Sequence, residues 1–206
     1  MLTLKRKLLL SMVVMLSSLL YGCSMFAPVP PVPTSNYLLN ATPAPVSAAK
    51  NTQQTLLVAS PQTMQAYNTT HMVYTTQPYQ LAYFAKSEWA DTPTQMLQPL
   101  IVQTLQNTHS FRAVVSTPFV GPYDVMLNTQ LLQLQQEFLQ KPSQVRMTLR
   151  AQLISGKDNH VIATKEFSAL VTAPQETPYG GVIAANRATQ EILRQLALFC
   201  LAATQK

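Results

Sequence analysis

Apolar and polar residues alternate in three different ways along this chain. Residues 8–20 are apolar except for Ser11, Ser17 and Ser18. From Asn36 to Phe84 the apolar residues come in short blocks of strand length, separated by Pro, Asn, Thr and Gln. Strands are expected at residues 36–39, 55–59, 72–76 and 79–84, with Gln77-Pro78 turning the last two into a hairpin. Residues 93–107 switch to helical spacing, with Leu97, Leu100, Ile101, Thr104 and Leu105 on one stripe. Thr92 is placed to cap this helix, Pro93 suits its first position, and Gln95 completes a capping box. Pro99 removes a hydrogen bond inside it and should kink it or split off its first turn.

The second half is more regular. A short strand is expected at 112–116, then a long one at 124–140 whose apolar phase changes partway. Val125, Leu127 and Leu131 share one parity, while Leu132, Leu134 and Phe138 share the other. A strand with one buried face needs an extra residue to do this, so a bulge is expected near Leu131-Leu132. Val145, Met147, Leu149, Ala151 and Leu153 then alternate with Arg146, Thr148, Arg150 and Gln152. Residues 160–171 place Val161, Ala163, Phe167, Ala169 and Val171 on one face. A final helix, 177–203, buries Ile183, Ala188, Ile192, Leu196, Phe199 and Cys200 and turns Asn186, Arg187, Gln190, Glu191 and Arg194 outward; Gly180-Gly181 reads as its loosened first turn. Strands, helix, strands, helix, joined by sequential hairpins, predict an α+β domain: a mostly antiparallel sheet with two amphipathic helices on one face.

The first apolar run is of a different kind. At 13 residues, behind Lys5-Arg6-Lys7, it fits a secretory signal and falls short of the ~20 residues that span a bilayer. It ends in Leu20-Tyr21-Gly22-Cys23. This tetrad resembles the lipobox of bacterial lipoproteins, in which the cysteine thiol takes a diacylglyceryl group and the signal is cut away just before it. The other reading is a signal-anchor helix with an incidental cysteine. On the lipobox reading, residues 1–22 are the signal peptide, 23–35 a lipidated Pro-rich tether, and 36–206 a single periplasmic domain. Four prolines within residues 24–34 exclude helix and favour an extended spacer of ~3 Å per residue. Ser24, where the enterobacterial sorting rule would put Asp to hold a lipoprotein at the inner membrane, points to the outer membrane.

Charge and cysteine content narrow the function. Removing 22 of the 206 residues leaves 184, enough for one domain with a substantial core. The signal also takes three of the 14 basic residues, leaving 11 against 8 acidic ones, a balance of +3. With no Lys/Arg run after residue 7, the chain carries no nucleic-acid footprint. Cys200 is the only cysteine besides Cys23. Within its apolar helix it reads as a small buried hydrophobe, with an interchain contact or a chemical role as alternatives. His71, His109 and His160 stand apart from one another and from any metal-ligand spacing, and the acidic residues are scattered. No catalytic, cofactor or metal residues are assigned, and no enzymatic activity is expected.

The aromatic residues Tyr74, Tyr79, Tyr83, Phe84 and Trp89 are the most distinctive packing material. They suit a core or interface, or else the wall of a groove for lipid or a partner. In order along the chain, Tyr37-x-Leu39, Leu57-Val58 with Pro61 and Met64, Met72-Val73-Tyr74, Leu81-Ala82-Tyr83-Phe84, Trp89-Ala90 and the helix with Leu97, Leu100 and Leu105 resemble the ABC-type transport auxiliary lipoproteins. These are the PqiC-like proteins that accompany lipid-binding MCE proteins, and the likeness runs from Tyr37 to Ala203. It implies a non-enzymatic lipoprotein on the periplasmic face of the outer membrane, anchored through Cys23. Such a protein would dock an MCE-domain protein with its ABC permease and ATPase and help phospholipid cross between membranes. The family also implies a homo-oligomeric ring as one option. An assembly or stability factor for another outer-membrane complex is the alternative function.

Overall fold

The structure, a computed structural model, describes residues 33–46 and 52–204. Residues 1–22, Cys23 and nearly all of the expected tether lie outside the described residues. In chain order the elements are β1 (Ser35–Tyr37), β2 (Thr55–Val58), β3 (Gln62–Thr63), a 3-10 turn (Gln65–Tyr67), β4 (His71–Thr75), β5 (Ala82–Trp89), α1 (Pro93–Gln106), β6 (Ala113–Ser116), β7 (Val125–Glu137), β8 (Gln144–Ser155), β9 (Val161–Thr172) and α2 (Pro178–Thr204).

β7 is the spine. Along one edge it pairs antiparallel with β8 over its whole length, and β8 pairs antiparallel with β9. Its other edge takes three short strands in succession, all parallel: β2 against Val125–Leu127, β3 against Gln130 and Leu131, β4 against Gln136 and Glu137. Two wings extend outward. β6 pairs parallel with β2, while β5 pairs antiparallel with β4 and then parallel with β1. The class is α+β as expected, but the sheet is mixed rather than mostly antiparallel. The expectation failed because β2, β3 and β4 do not fold back on one another. They line up end to end along a strand whose paired residues come 62 to 69 positions later, with Pro61 and the 3-10 turn as spacers.

The phase change in β7 is a bulge. Leu131 pairs with Leu149, but Thr148 pairs with Gln133, leaving Leu132 as the extra residue. Leu127, Leu131 and Leu134 therefore all reach the core although their parity differs. They meet Val145, Met147, Leu149, Ala151 and Leu153 of β8, Phe167 and Ala169 of β9, and both helices in one continuous core. A second irregularity pairs Leu153 with Ala163 but Ile154 with Val161. It takes Val161 off the buried face, against the alternation, and leaves it half-exposed.

α1 begins where Thr92 and Pro93 predict, without the capping box. The Thr92 hydroxyl donates to the Gln95 side-chain oxygen instead of accepting a backbone N–H, and Thr92 N–H donates to Asp91 Oδ1 at 2.7 Å. The helix runs through Pro99 as a single element. Pro99 and Gln95 are both exposed, so the carbonyl that loses its donor lies on the water side. Gly180 and Gly181 are buried in regular helix rather than loosened. A Cβ on Gly180 would come within 2.2 Å of the Gln175 carbonyl oxygen, and one on Gly181 within 2.3 Å of Gln136 Oε1. Close approach explains both glycines.

Asn186, expected to face solvent, is half-buried, and Gln190 is exposed as expected; both hold down the chain that leaves β1. Asn186 Oδ1 accepts from the backbone N–H of Asn40 and Ala41, its Nδ2 donates to Leu38 O, and Gln190 Nε2 donates to Thr42 O.

Deleting Leu132 alone restores a one-to-one ladder with Leu131 and Leu134 still inward, so that variant should keep its fold and a cooperative thermal transition. Deleting Asn128 turns Val125 and Leu127 outward, and circular dichroism should show no cooperative melt.

Candidate functional site

The end of the sheet where β4 and β7 stop and β5 and β8 start gathers most of the expected aromatic cluster. The structure divides that cluster in three. Trp89 is buried in the core. Tyr74 and Phe84, half-buried, stack at 4.5 Å between ring centroids, and Phe138 meets each of them edge-on at 6.0 and 6.3 Å. Tyr79, Leu81 and Leu139 are exposed at the same end, while Tyr83, also exposed, lies on the opposite face of β5 with its ring 5.9 Å from that of His71. Tyr79 sits in the turn between β4 and β5 with φ 67°, and β5 starts only at Ala82, so the turn is longer than Gln77-Pro78 alone. Phe138 follows β7 and shares the post-bulge parity of Leu134 and Gln136. Leu139 had no periodic signal to single it out.

Behind the rings the two faces of β7 differ in chemistry. On the face away from the helices a polar chain runs across three elements. The Tyr67 hydroxyl donates to Gln135 Oε1 at 2.6 Å, and Gln135 Nε2 donates to Glu137 Oε1 at 3.1 Å. Arg146 grips both carboxylate oxygens of Glu137 at 2.8 and 3.1 Å. Loss of hydration in this nearly closed position, with the Glu137 charge second, pushes the Tyr67 hydroxyl up to about 12. The hydrogen bond to Glu137 raises the Arg146 guanidinium above its ordinary value. A bidentate pair of this kind fixes geometry as much as it adds energy.

On the helix face Gln136 is buried under the first turn of α2. Its Nε2 donates to Ser143 Oγ at 3.0 Å and to Thr177 O at 3.4 Å, while its Oε1 has no donor from the protein. The small cavity beside it is lined by Met72, Val73, Trp89, Leu134, Val145 and Ala185 and has room for about one water. This is packing space and too small for a substrate.

The titratable groups stay scattered. His71 Nδ1 lies 3.2 Å from Glu88 and His160 Nδ1 2.6 Å from Asp158, both pairs substantially exposed and on different strands, His71 starting β4 and His160 preceding β9. His109 is in the loop after α1. Among the described residues no three His, Cys, Asp or Glu side chains come together as metal ligands, and no helix is long and apolar enough to cross a membrane. Cys200 is fully buried in α2, and burial pushes its thiol up to about 12. Cys23, the expected lipid-attachment residue, lies outside the described residues.

Comparison with known proteins adds the family context. A profile described as "ABC-type transport auxiliary lipoprotein component" matches residues 37–197. The fold is similar to that of protein XCC0632 from Xanthomonas campestris, with a TM-score of 0.73, 19% identity, and coverage of 85% of this chain and 97% of that one. It is also similar to the hypothetical protein CT253 from Chlamydia trachomatis, with a TM-score of 0.50, 8% identity, and coverage of 76% and 98%. No curated protein matches the chain.

Two outcomes follow from the buried groups. Tyr67 keeps its proton in the fold at pH values where the unfolded chain, with a tyrosine near 10.0, has lost it. Its contribution to stability is therefore complete below pH 10 and disappears as pH rises toward 12. Denaturant titrations should show Tyr67→Phe flattening that alkaline loss. Cys200 should resist a thiol reagent in the folded protein at pH 8 and react at once in denaturant; rapid labelling of the native protein would show that the helix opens.

Proposed function

The chain belongs to the family of ABC-type transport auxiliary lipoprotein components, and from that membership we propose that it is the tethered, non-catalytic member of a transport assembly in the cell envelope. One observation carries this reading. The family match begins in β1 and ends within α2, so it takes in every strand and both helices rather than one shared motif. The packing is consistent with a scaffold: both faces of the spine strand are occupied, one by an apolar core and the other by a hydrogen-bonded polar chain.

The finer reading rests on the residues at the start of the chain. Residues 1–22 are removed, Cys23 carries the lipid, and residues 23–35 hold the 36–206 domain at the periplasmic face of the outer membrane. Its partners are an MCE-domain protein and the associated permease and ATPase, and its role is to dock that assembly while phospholipid passes between membranes. Two acyl chains on one residue give lasting attachment where one gives only marginal binding. Self-association into a ring is part of the same proposal.

Cys23→Ala should leave the protein uncleaved or released from the outer membrane on fractionation. A mature variant that still fractionates with the outer membrane would overturn the anchor. Crosslinking in intact membranes followed by purification should recover an MCE-domain protein; recovery of a different outer-membrane complex would redirect the function.

A further inference from the structure

We propose that the aromatic end of the sheet, carrying Tyr79, Leu81 and Leu139, rests on the lipid surface and sets which way the domain faces. This inference builds on the anchored reading above and adds an orientation to it.

The first support is the direction in which the chain enters. β1 runs parallel to β5, Ser35 opposite Ser87 and Tyr37 opposite Trp89. β5 itself runs away from the turn that holds Tyr79, so the first residue of β1 is the one nearer that turn. β1 thus enters the sheet running away from the aromatic end. The second support is reach. Eleven residues, and so twelve steps, separate Cys23 from Ser35, and at ~3.1 Å per step an extended Pro-rich segment would span up to about 37 Å. From the level of Ser87 back to Ala82 is five strand residues, about 17 Å at ~3.3 Å each. The tether is long enough to pass the aromatic end and short enough to keep it close to the bilayer.

Surface chemistry points the same way. Tyr79 is fully exposed, and Leu139, half exposed, follows Phe138 in the β7–β8 turn. Tyrosine suits the boundary between headgroups and acyl chains, having an apolar ring and a polar tip. The acids here are already engaged: Glu137 pairs with Arg146, and Glu176 accepts from the Ser143 backbone N–H at 2.6 Å. Lys141 in the turn has no ion-pair partner among the described residues and offsets the charge of Glu176, so this end carries no excess of negative charge to repel anionic headgroups. The opposite end carries mixed charge, with Arg112 3.5 Å from Asp124, and Lys157, Asp158 and His160 in the β8–β9 turn. A patch this small would not hold a free protein on a membrane. A tether changes that, because it keeps the patch at high local concentration beside the surface and a weak preference then suffices to orient it.

The test uses the full mature lipoprotein in vesicles of phosphatidylethanolamine and phosphatidylglycerol containing a nitroxide-headgroup lipid. A fluorophore is placed at Gln80→Cys or at Lys157→Cys, with Cys200 shielded by burial. Quenching several-fold stronger at position 80 than at 157 is expected, and Tyr79→Ser with Leu139→Ser should reduce that difference while the protein still floats with the vesicles. Equal quenching at both positions in floating protein would overturn the orientation and leave the anchor standing, as would protection of position 80 only after a protein partner is added. Failure to float at all would overturn the anchor, and the orientation with it.

Discussion

The fold depends on β7 being paired on both edges at once. Its antiparallel partner β8 fixes one register, and the three short parallel strands fix another, so any slip must break both. That double constraint makes the single extra residue at Leu132 consequential. It lets one strand of 13 residues present apolar side chains to the same core before and after a change of parity. The half before the bulge serves the wing of β2 and β6 under α1. The half after it serves the wing of β4, β5 and β1. Here Gln136 reaches the helix face and Gln135 and Glu137 the opposite one.

Elements with period and length were legible in the sequence. The stripe of α1, the alternation in β8 and the span of α2 needed only local pattern, and the bulge could be read because two apolar phases met in one strand. Pairing direction was not legible. Parallel ladders join segments far apart in the chain, and nothing in Leu56-Leu57-Val58 says whether its neighbour is the next strand or one that follows a helix. The glycines of α2 and its Asn186 were misread for the same reason, since each answers to a residue brought near only by the fold: Gln175, Gln136 and the backbone after β1. The aromatic residues were identifiable as a group, but their division into core, half-buried trio and exposed rim follows from the β4–β5 turn and the arrival of Phe138. Neither carries a local signature. Family membership was legible as an ordered series of short blocks, because those blocks fall in successive elements of the fold, β1, β2, β4, β5 and α1.

Function in this protein is a matter of ends and faces. The polar chain from Tyr67 to Arg146 satisfies itself, and the core is apolar, with a cavity of about one water's size beside Gln136. What remains is surface: an aromatic rim at one end, mixed charges at the other, and a chain entering at the edge of the sheet. The scaffold role proposed above needs a defined entry point, a rigid body and distinguishable ends, and the domain supplies each from ordinary side chains.

The way the chain enters also decides how the domain would carry mechanical load. A pull on the residues before Ser35 acts along the axis of β1 and slides it against β5, so the hydrogen bonds between the two strands share the force instead of opening one after another. Just beyond, Asn186 clasps Leu38, Asn40 and Ala41 to α2. Tension that overcame the strand would therefore pass into the longest helix of the domain before it reached the core.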